Sequence, residues 1–200
     1  MNWITRAVKH FCLITRHKTL VFAYASYAGI PWRGFMHDWS KYSPIEFFES
    51  VRYFDGKRSP VGISREVNGF SLAWLHHKGR NPHHYEYWLD WLDEKGTPIP
   101  MPFEYALEMV CDCISASKVY NGKNFRFAGL LAWWRRRDAK RPVNMHPISK
   151  RFHFAMLEAL AAEESLRPLR RARALYDEAR KAFEAETVCD AAEQPSGVKE

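Results

Sequence analysis

The spacing of the apolar residues is the feature that most constrains the fold of this chain. In residues 3–28 they recur three and four positions apart, as at Phe11, Ile14, Val21 and Ala25, which is the spacing of one helix face. Similar spacing returns in later segments, whereas the alternation typical of a half-buried strand is nearly absent. The sequence therefore predicts an all-α fold with about seven to nine helices.

The length and composition fit one domain with a substantial core. The chain has 200 residues, of which 46% are hydrophobic. We expect a core with the functional residues in 1–124, and C-terminal helices in 125–186 that pack on this core. Residues 187–200 have no apolar periodicity, so we expect a disordered tail there.

The charge and the cysteines limit the partners and the compartment. Lys and Arg number 30 against 23 Asp and Glu, a net charge of +7, which favours anionic partners such as nucleotides or nucleic acid, although a basic solvated surface is commoner. The four cysteines form no CxxC pair and fit reduced thiols in a cytosol. Because no apolar run is long enough to cross a bilayer, we expect a soluble cytoplasmic protein without a membrane partner. No particular oligomeric state is indicated.

Adjacent His37 and Asp38, followed by Lys41, form the most informative motif. Imidazole and carboxylate are ligands that suit Mn, Fe, Co and Zn. Such a pair alone is more often a turn or a helix cap, so its neighbours in the sequence decide the interpretation. The other candidate ligands are His17, the pairs His76-His77 and His83-His84, and Asp112.

Helical spacing selects one histidine from each pair. The sequence predicts a helix over 65–78. In it, Phe70, Ala73 and Trp74 share a face with His77, which turns His77 inward rather than His76. We expect His84 on the inner face of the next helix, predicted from Pro82, so that His77 and His84 meet near one ion. His76 and His83 are the second-ranked candidates. The alternative is that these histidines cap helix ends.

Asp112 lies among apolar residues of a helix predicted over 103–120. A carboxylate there is costly to bury unless it is paired or binds a cation, so Asp112 is the candidate closing ligand. An Asp at the edge of the apolar stripe, facing water, is the alternative. Lys118 follows on the same helix and could contact a phosphate, although a solvated helix end explains it equally well.

The segments HDWSKYSPIEF, AWLHHKGRNPHHYEYW and EMVCDCISASK resemble the HD-domain superfamily of metal-dependent phosphohydrolases. They look most like an uncharacterised HD-like family of bacterial and phage genomes. The resemblance implies a compact helical HD-domain-like bundle with a C-terminal helical extension, and one or two divalent ions. It implies first-ion ligands at His17, His37, Asp38 and Asp112. In the two-ion version Asp38 bridges both ions, while His77 and His84 hold the second. His10 is expected to have a structural role.

The resemblance further implies hydrolysis of a nucleotide or another phosphate ester by a metal-activated water, with Asp38 and Lys41 as catalytic residues. Lys41, Arg80 and Lys118 are the candidate substrate-binding cations, although an exposed, unengaged Arg80 is the simpler interpretation. The metal would be Mn, Fe or Co, with Zn as a further candidate. The alternatives are a di-iron oxygenase and a non-catalytic metal-stabilised module that binds nucleic acid or protein.

Basic residues beside Trp133 and Trp134 suggest a second contact surface. Tryptophan rings stack on bases, and arginines pair with phosphates, so this segment could bind a nucleotide or a single strand. More often such a run is a solvated basic face with the Trp side chains in the core.

Overall fold

A computed structural model describes residues 1–91 and 94–193 and confirms the all-α prediction. The α-helices are α1 (Trp3–Tyr27), α2 (Pro31–Met36), α3 (Pro44–Arg52), α4 (Pro60–Asn68), α5 (Leu72–Lys78), α6 (Phe103–Asn121), α7 (Phe127–Lys140), α8 (Pro147–Glu163) and α9 (Ala172–Glu193). Short 3-10 helices span Trp39–Tyr42, Tyr85–Trp88, Gly122–Asn124 and Arg167–Arg171. The two-residue strands β1 (Leu89–Asp90) and β2 (Thr97–Pro98) pair antiparallel, Leu89 opposite Pro98.

Helix α1 is the long helix that the apolar spacing predicts. The side chain of Asn2 caps its first turn by accepting a hydrogen bond from the backbone N–H of Thr5 at 2.9 Å. Gly29 follows the helix with φ +88°, a left-handed conformation that glycine adopts without steric cost. Helix α1 packs against α2 and α6, with His17 on its buried face.

Helix α6 runs through the centre of the hydrophobic core. Its apolar face includes Leu107, Val110 and Ile114, all of which are fully buried. The same core contains Val21 from α1 and Leu160 from α8. One continuous core therefore joins the segments 1–124 and 125–186, with α6 as the element that both segments share.

Two helix predictions are wrong because the chain breaks where periodicity alone suggests continuity. The helix predicted over 65–78 is instead α4 and α5, separated by Gly69 in a left-handed conformation (φ +81°). The α-helix predicted after Pro82 is a turn followed by the 3-10 helix Tyr85–Trp88. The side chains still reach the interior in both places: the face of α5 directs His77, and the turn after Pro82 directs His83 and His84.

The disorder predicted for 187–200 is wrong for residues 187–193, since α9 continues through Glu193. These residues extend the helix that begins at Ala172, and extending an existing helix needs no new nucleation. The rest of that prediction, 194–200, lies outside the described residues. Within the described chain, no helix is both long enough and apolar enough to cross a bilayer.

Candidate metal centre

A break between two helices brings His37 and Asp38 into the interior together. The sequence predicts a helical segment over 35–42, but α2 ends at Met36, and Asp38 adopts a left-handed conformation with φ 56° and ψ 26°. Successive side chains of an α-helix point about 100° apart, so a continuous helix could not direct both inward. With the break, His37 and Asp38 are only 1% and 2% exposed. The Nζ of Lys18 donates to the His37 carbonyl at 2.5 Å, which satisfies a backbone acceptor at this helix end.

The first ligand group consists of His17, His37, Asp38 and Asp112. The Nε2 of His17 lies 3.0 Å from Asp112 Oδ1 and 3.5 Å from Asp38 Oδ2. The Nε2 of His37 lies 3.0 Å from Asp38 Oδ2 and 3.3 Å from His17 Nε2. Helices α1 and α6 and the break after α2 therefore direct two imidazoles and two carboxylates to one point.

The second ligand group consists of Asp38, His77, His83 and His84. The other carboxylate oxygen of Asp38, Oδ1, lies 3.3 Å from His77 Nε2 and 3.4 Å from His83 Nε2. The Nε2 atoms of His77 and His84 are 2.9 Å apart. The prediction that His77 faces inward is confirmed, and His83 joins the group although the sequence ranked it behind His84. Asp38 belongs to both groups, with one oxygen turned to each.

The spacing within both groups fits a metal-ligand set. Nitrogen and oxygen ligands about 2.1 Å from an ion, at angles of about 90° to 110°, stand about 3.0 to 3.4 Å apart. The ligand atoms of each group all lie within 4.8 Å of one another. Moreover, Asp38 Oδ1 and His83 Nε2 are buried and have no hydrogen-bond partner among the described residues. Because unsatisfied polar atoms are costly to bury, these groups could hold a metal ion.

Two glutamates orient the rings from behind. Oε1 of Glu108 lies 3.0 Å from His37 Nδ1 and 3.2 Å from His83 Nδ1, while its Oε2 accepts from Arg33 Nε at 2.8 Å. Oε2 of Glu46 lies 2.8 Å from His77 Nδ1. A carboxylate that accepts from Nδ1–H leaves the Nε2 lone pair free to bind a metal.

Sequence reasoning missed these two orienting roles. Glu108 also forms a third cluster with His37 and His83, but its hydrogen bonds to both rings and to Arg33 are those of a supporting residue. The signal in the sequence is its position one helical turn before Asp112, which places a second carboxylate on nearly the same face of an apolar helix.

The pKa shifts of His83, His84 and Asp38 suit metal binding, whereas that of His37 opposes it. Burial and the neighbouring imidazoles hold the pKa of His84 well below its usual range, and burial lowers the pKa of His83. Burial alone would raise the pKa of Asp38, but the charges of His37 and Lys41 lower it well below the usual range. Burial likewise lowers the pKa of His37, but the charge of Asp38 and the hydrogen bonds to Asp38 and Glu108 raise it to about 9. A metal would therefore displace a proton from His37.

A cavity of about 400 Å³ opens over both groups, and we call it the entry cavity. It is lined by one candidate ligand from α1, two from the α5 region and one from α6: His17, His77, His84 and Asp112. Lys41 lies on its wall, with Nζ 2.5 Å from Asp38 Oδ2. Burial lowers the pKa of Lys41, but the charges of Asp38 and Asp112 raise it above its usual range, so Lys41 remains a cation.

Two predicted substrate-binding residues lie elsewhere. Arg80 is exposed in the turn after α5. Lys118 lies with its Nζ 5.7 Å from the centre of the Tyr24 ring and lines a different cavity together with Glu164. Lys118 lies six positions after Asp112 on α6. It is therefore rotated about 120° around the helix axis from Asp112, away from the centre. Arg65, which the sequence did not suggest, is a cation on the wall of the entry cavity.

His10 and His76 have supporting positions. His10 is buried against the rings of Phe47 and Phe54, with ring centroids 5.5 Å away in each case. His76 Nδ1 lies 2.6 Å from Glu46 Oε1, so its imidazole holds the carboxylate that orients His77. The expectation of a structural rather than a ligand role for His10 agrees with this packing.

A sequence profile of a family of unknown function, DUF5662, matches residues 6–160. The chain belongs to this family. No curated protein matches it, and no solved structure does. The DUF5662 match contains both ligand groups together with Glu46 and Glu108, whereas α9 lies beyond it.

Proposed function

We propose that this DUF5662 protein is a metal-dependent phosphohydrolase that acts on a nucleotide or another phosphate ester. The observation that carries the proposal is the sharing of Asp38 between two ligand groups, with one carboxylate oxygen turned to each. A carboxylate in that position suits a pair of divalent ions, and paired ions suit displacement at phosphorus. The resemblance of the sequence motifs to the HD-domain superfamily points the same way.

The donor atoms limit the choice of metal. The two groups together provide five imidazoles and two carboxylates: His17, His37, His77, His83, His84, Asp38 and Asp112. No thiolate takes part, which favours Mn, Fe or Co, with Zn as a further candidate, over softer metals. Divalent ions held here would offset the charge of a phosphate ester and lower the pKa of a water molecule.

The residues of the entry cavity have roles suited to a phosphate ester. Lys41 is a cation beside the shared carboxylate and can contact a phosphoryl oxygen, because its ammonium group borders the cavity and the ligands alike. Arg65 adds a second positive charge on the same wall. Glu46 and Glu108 act behind the ligands by holding the imidazole rings in place.

A di-iron oxygenase is the alternative that the ligand set also favours. Five imidazoles form a nitrogen-rich set that suits iron, and nothing in the geometry of the two groups is specific to phosphate. The cations Lys41 and Arg65 on the cavity wall favour the phosphohydrolase, since dioxygen needs neither.

The test is hydrolysis by the metal-loaded protein. Protein reconstituted separately with Mn, Fe, Co and Zn is given nucleoside monophosphates, a cyclic nucleotide and bis(p-nitrophenyl) phosphate, and phosphate or nitrophenol release is measured. We expect turnover that Asp38→Ala reduces to the protein-free background. We expect Lys41→Met, which keeps an unbranched chain one atom shorter but removes the charge, to lower kcat more than metal content.

His153→Phe is the control for these variants, because His153 is buried outside the centre and contacts Trp134. It should retain wild-type turnover. Oxygen uptake by the iron-loaded protein without phosphoester hydrolysis would replace the proposal with the oxygenase. If the metal-loaded protein is inactive in both assays, the remaining interpretation is the non-catalytic metal-stabilised module that binds nucleic acid or protein.

A further inference from the structure

A second cavity, of about 560 Å³, lies between α6 and α7, and we call it the aromatic cavity. It meets the entry cavity along a shared wall of Ser59, Asp112, Ala116 and Tyr120. Its volume is in the range of small-molecule sites, roughly 300 to 1,000 Å³. Because Asp112 is a candidate metal ligand, a molecule bound at the centre can extend from there into this cavity.

The walls of the two cavities differ in chemistry. Trp133 and Trp134 line the aromatic cavity and not the entry cavity. In the entry cavity, Trp74 lies among aliphatic side chains, charged side chains and four candidate ligands. Trp134 is buried and fixed, but Trp133 is 50% exposed and its ring lies 5.4 Å from that of Trp134. The guanidinium of Arg137 lies 5.8 Å from the centre of the Trp133 ring. A half-exposed indole beside a buried aromatic neighbour suits the stacking of a planar ring.

Among the described residues, Arg136 is an arginine of the aromatic cavity without a hydrogen bond or ion pair. In the run Arg135 to Arg137, Nη2 of Arg135 donates to Glu158 at 2.8 Å, and Nη2 of Arg137 donates to Tyr85 at 2.9 Å. Arg136 lines the cavity and has no acidic partner in the described part of the chain. A cation beside an aromatic face can pair with an anion or with a ring acceptor atom.

A glycine keeps the aromatic cavity open. Gly129 lies inside α7, where glycine costs helix stability of about 1 kcal/mol relative to alanine. Its backbone does not need glycine, because φ is not positive there, and a Cβ at this position would meet no atom within 4 Å. The absence of a side chain therefore leaves space in the cavity rather than relieving a clash.

We propose that the aromatic cavity binds the planar ring of the substrate, which makes the substrate an aromatic phosphate ester of nucleotide size. The phosphate lies toward Asp112 and the ligand groups, the ring stacks on Trp133, and Arg136 pairs with an acceptor of the ring system. This inference rests on the proposed function, because it assigns the organic part of the molecule whose phosphate the centre would bind.

The helices offer a matched pair of variants to test this. Gly129→Leu adds a side chain to the aromatic cavity, and Gly62→Leu adds the same side chain to the entry cavity. Gly62 also lies within a helix, α4, and its Cβ would likewise meet no atom within 4 Å. Since leucine favours helix over glycine, both variants should fold, which circular dichroism checks.

Binding is measured by calorimetry with AMP and with ribose 5-phosphate, which has the phosphate but lacks the ring. The titrations are run with and without Mn. We expect the wild type to bind AMP at least about tenfold more tightly than ribose 5-phosphate, a gain typical of one stacked base. Gly129→Leu and Trp133→Ala should remove this preference, whereas Gly62→Leu should preserve the ratio of the two affinities.

The outcomes separate this inference from the proposed function. Equal affinity of the wild type for both probes, or a preference that survives Gly129→Leu, would overturn the aromatic cavity as the ring site even if the protein hydrolyses phosphate esters. A Gly129-dependent preference for AMP in a protein that hydrolyses nothing would support the ring site and count against the phosphohydrolase.

Discussion

The two ligand groups share Asp38, but different kinds of structure carry them. His17 and Asp112 of the first group lie within long helices of 25 and 19 residues, and both helices are anchored in the core. His77 of the second group lies on a helix of seven residues, and His84 lies in the turn that follows. Two ligands of the first group are therefore positioned by the packing of long helices. His77 and His84 lack such helices, and His77 is held by hydrogen bonds such as that to Glu46.

This difference indicates which ligands keep their positions when no metal is bound. Rigid helices hold ligands in place without a metal, whereas short segments open at low free-energy cost. We expect the first group to bind its ion more tightly and to keep its geometry in the metal-free protein. The second group should depend on its ion, so the region of α5 should become more ordered when metal binds.

Asp38→Ala is the strongest test, because Asp38 is the only ligand common to both four-residue groups in the described chain. We expect loss of both ions, measured as metal per chain by elemental mass spectrometry on protein purified without added metal or chelator. His10→Ala should retain wild-type metal content and change mainly the free energy of unfolding. Full metal occupancy in Asp38→Ala would show that these residues do not form the centre.

His84→Ala should have about half that effect, because it removes a ligand from the second group alone. We expect about one equivalent of metal to remain, held by the first group. In the wild type, a chelator should remove the ions in two phases, and His84→Ala should lack the faster phase. A single phase in the wild type would contradict the difference between the two groups.

Glu108→Gln should weaken both groups to a smaller extent. Glu108 is fully buried and orients one histidine of each group, His37 and His83. Loss of such a supporting carboxylate typically lowers metal affinity about 10- to 100-fold. Competition with a fluorescent chelator measures this. Glu46→Gln is the matched variant, and it should weaken the second group only, since Glu46 contacts His77 but neither His17 nor His37 in the described structure.

His153 provides a contrast with the centre, because its protonation should change the stability of the fold and not metal binding. Burial, and secondarily the charge of Arg137, lower its pKa from 6.5 to about 3, and neither ring nitrogen has a hydrogen-bond partner in the described chain. The unfolded chain therefore binds a proton that the folded chain excludes, so stability present above pH 6.5 is lost as the pH falls. At pH 5 this loss is about 2 kcal/mol relative to pH 7.

His153→Phe should remove this part of the acid sensitivity while keeping a ring against Trp134. Denaturant unfolding at pH 7 and pH 5 measures it, and the difference between variant and wild type isolates His153, since His10 titrates in both. An unchanged pH dependence in the variant would mean that His153 is protonated or partnered in the folded state. The contrast between His153, which lacks a partner, and the ligand histidines, which have carboxylate partners, would then be wrong.

Much of the fold could be predicted because it follows from local spacing. The period of apolar residues in α1 and α6 located both helices, and the same period distinguished His77 from His76. Asp112 was identifiable because a carboxylate in an apolar helix needs a partner. The supporting glutamates were harder to find, since Glu108 meets His37 only after 71 residues of chain have folded back.

The sequence by itself determined the helical class and the identity of most candidate ligands, because helical period and ligand chemistry are properties of single segments. Only the tertiary structure decided that His37 and Asp38 leave the helix, that His83 joins His84, and that Asp38 turns one oxygen to each group. The physical reason is that these arrangements depend on backbone breaks at Met36 and Pro82. No periodicity within the segments specifies these breaks. Helix α2, which ends at the first of them, packs against α1 and also against α6, whose residues lie far from it in the sequence.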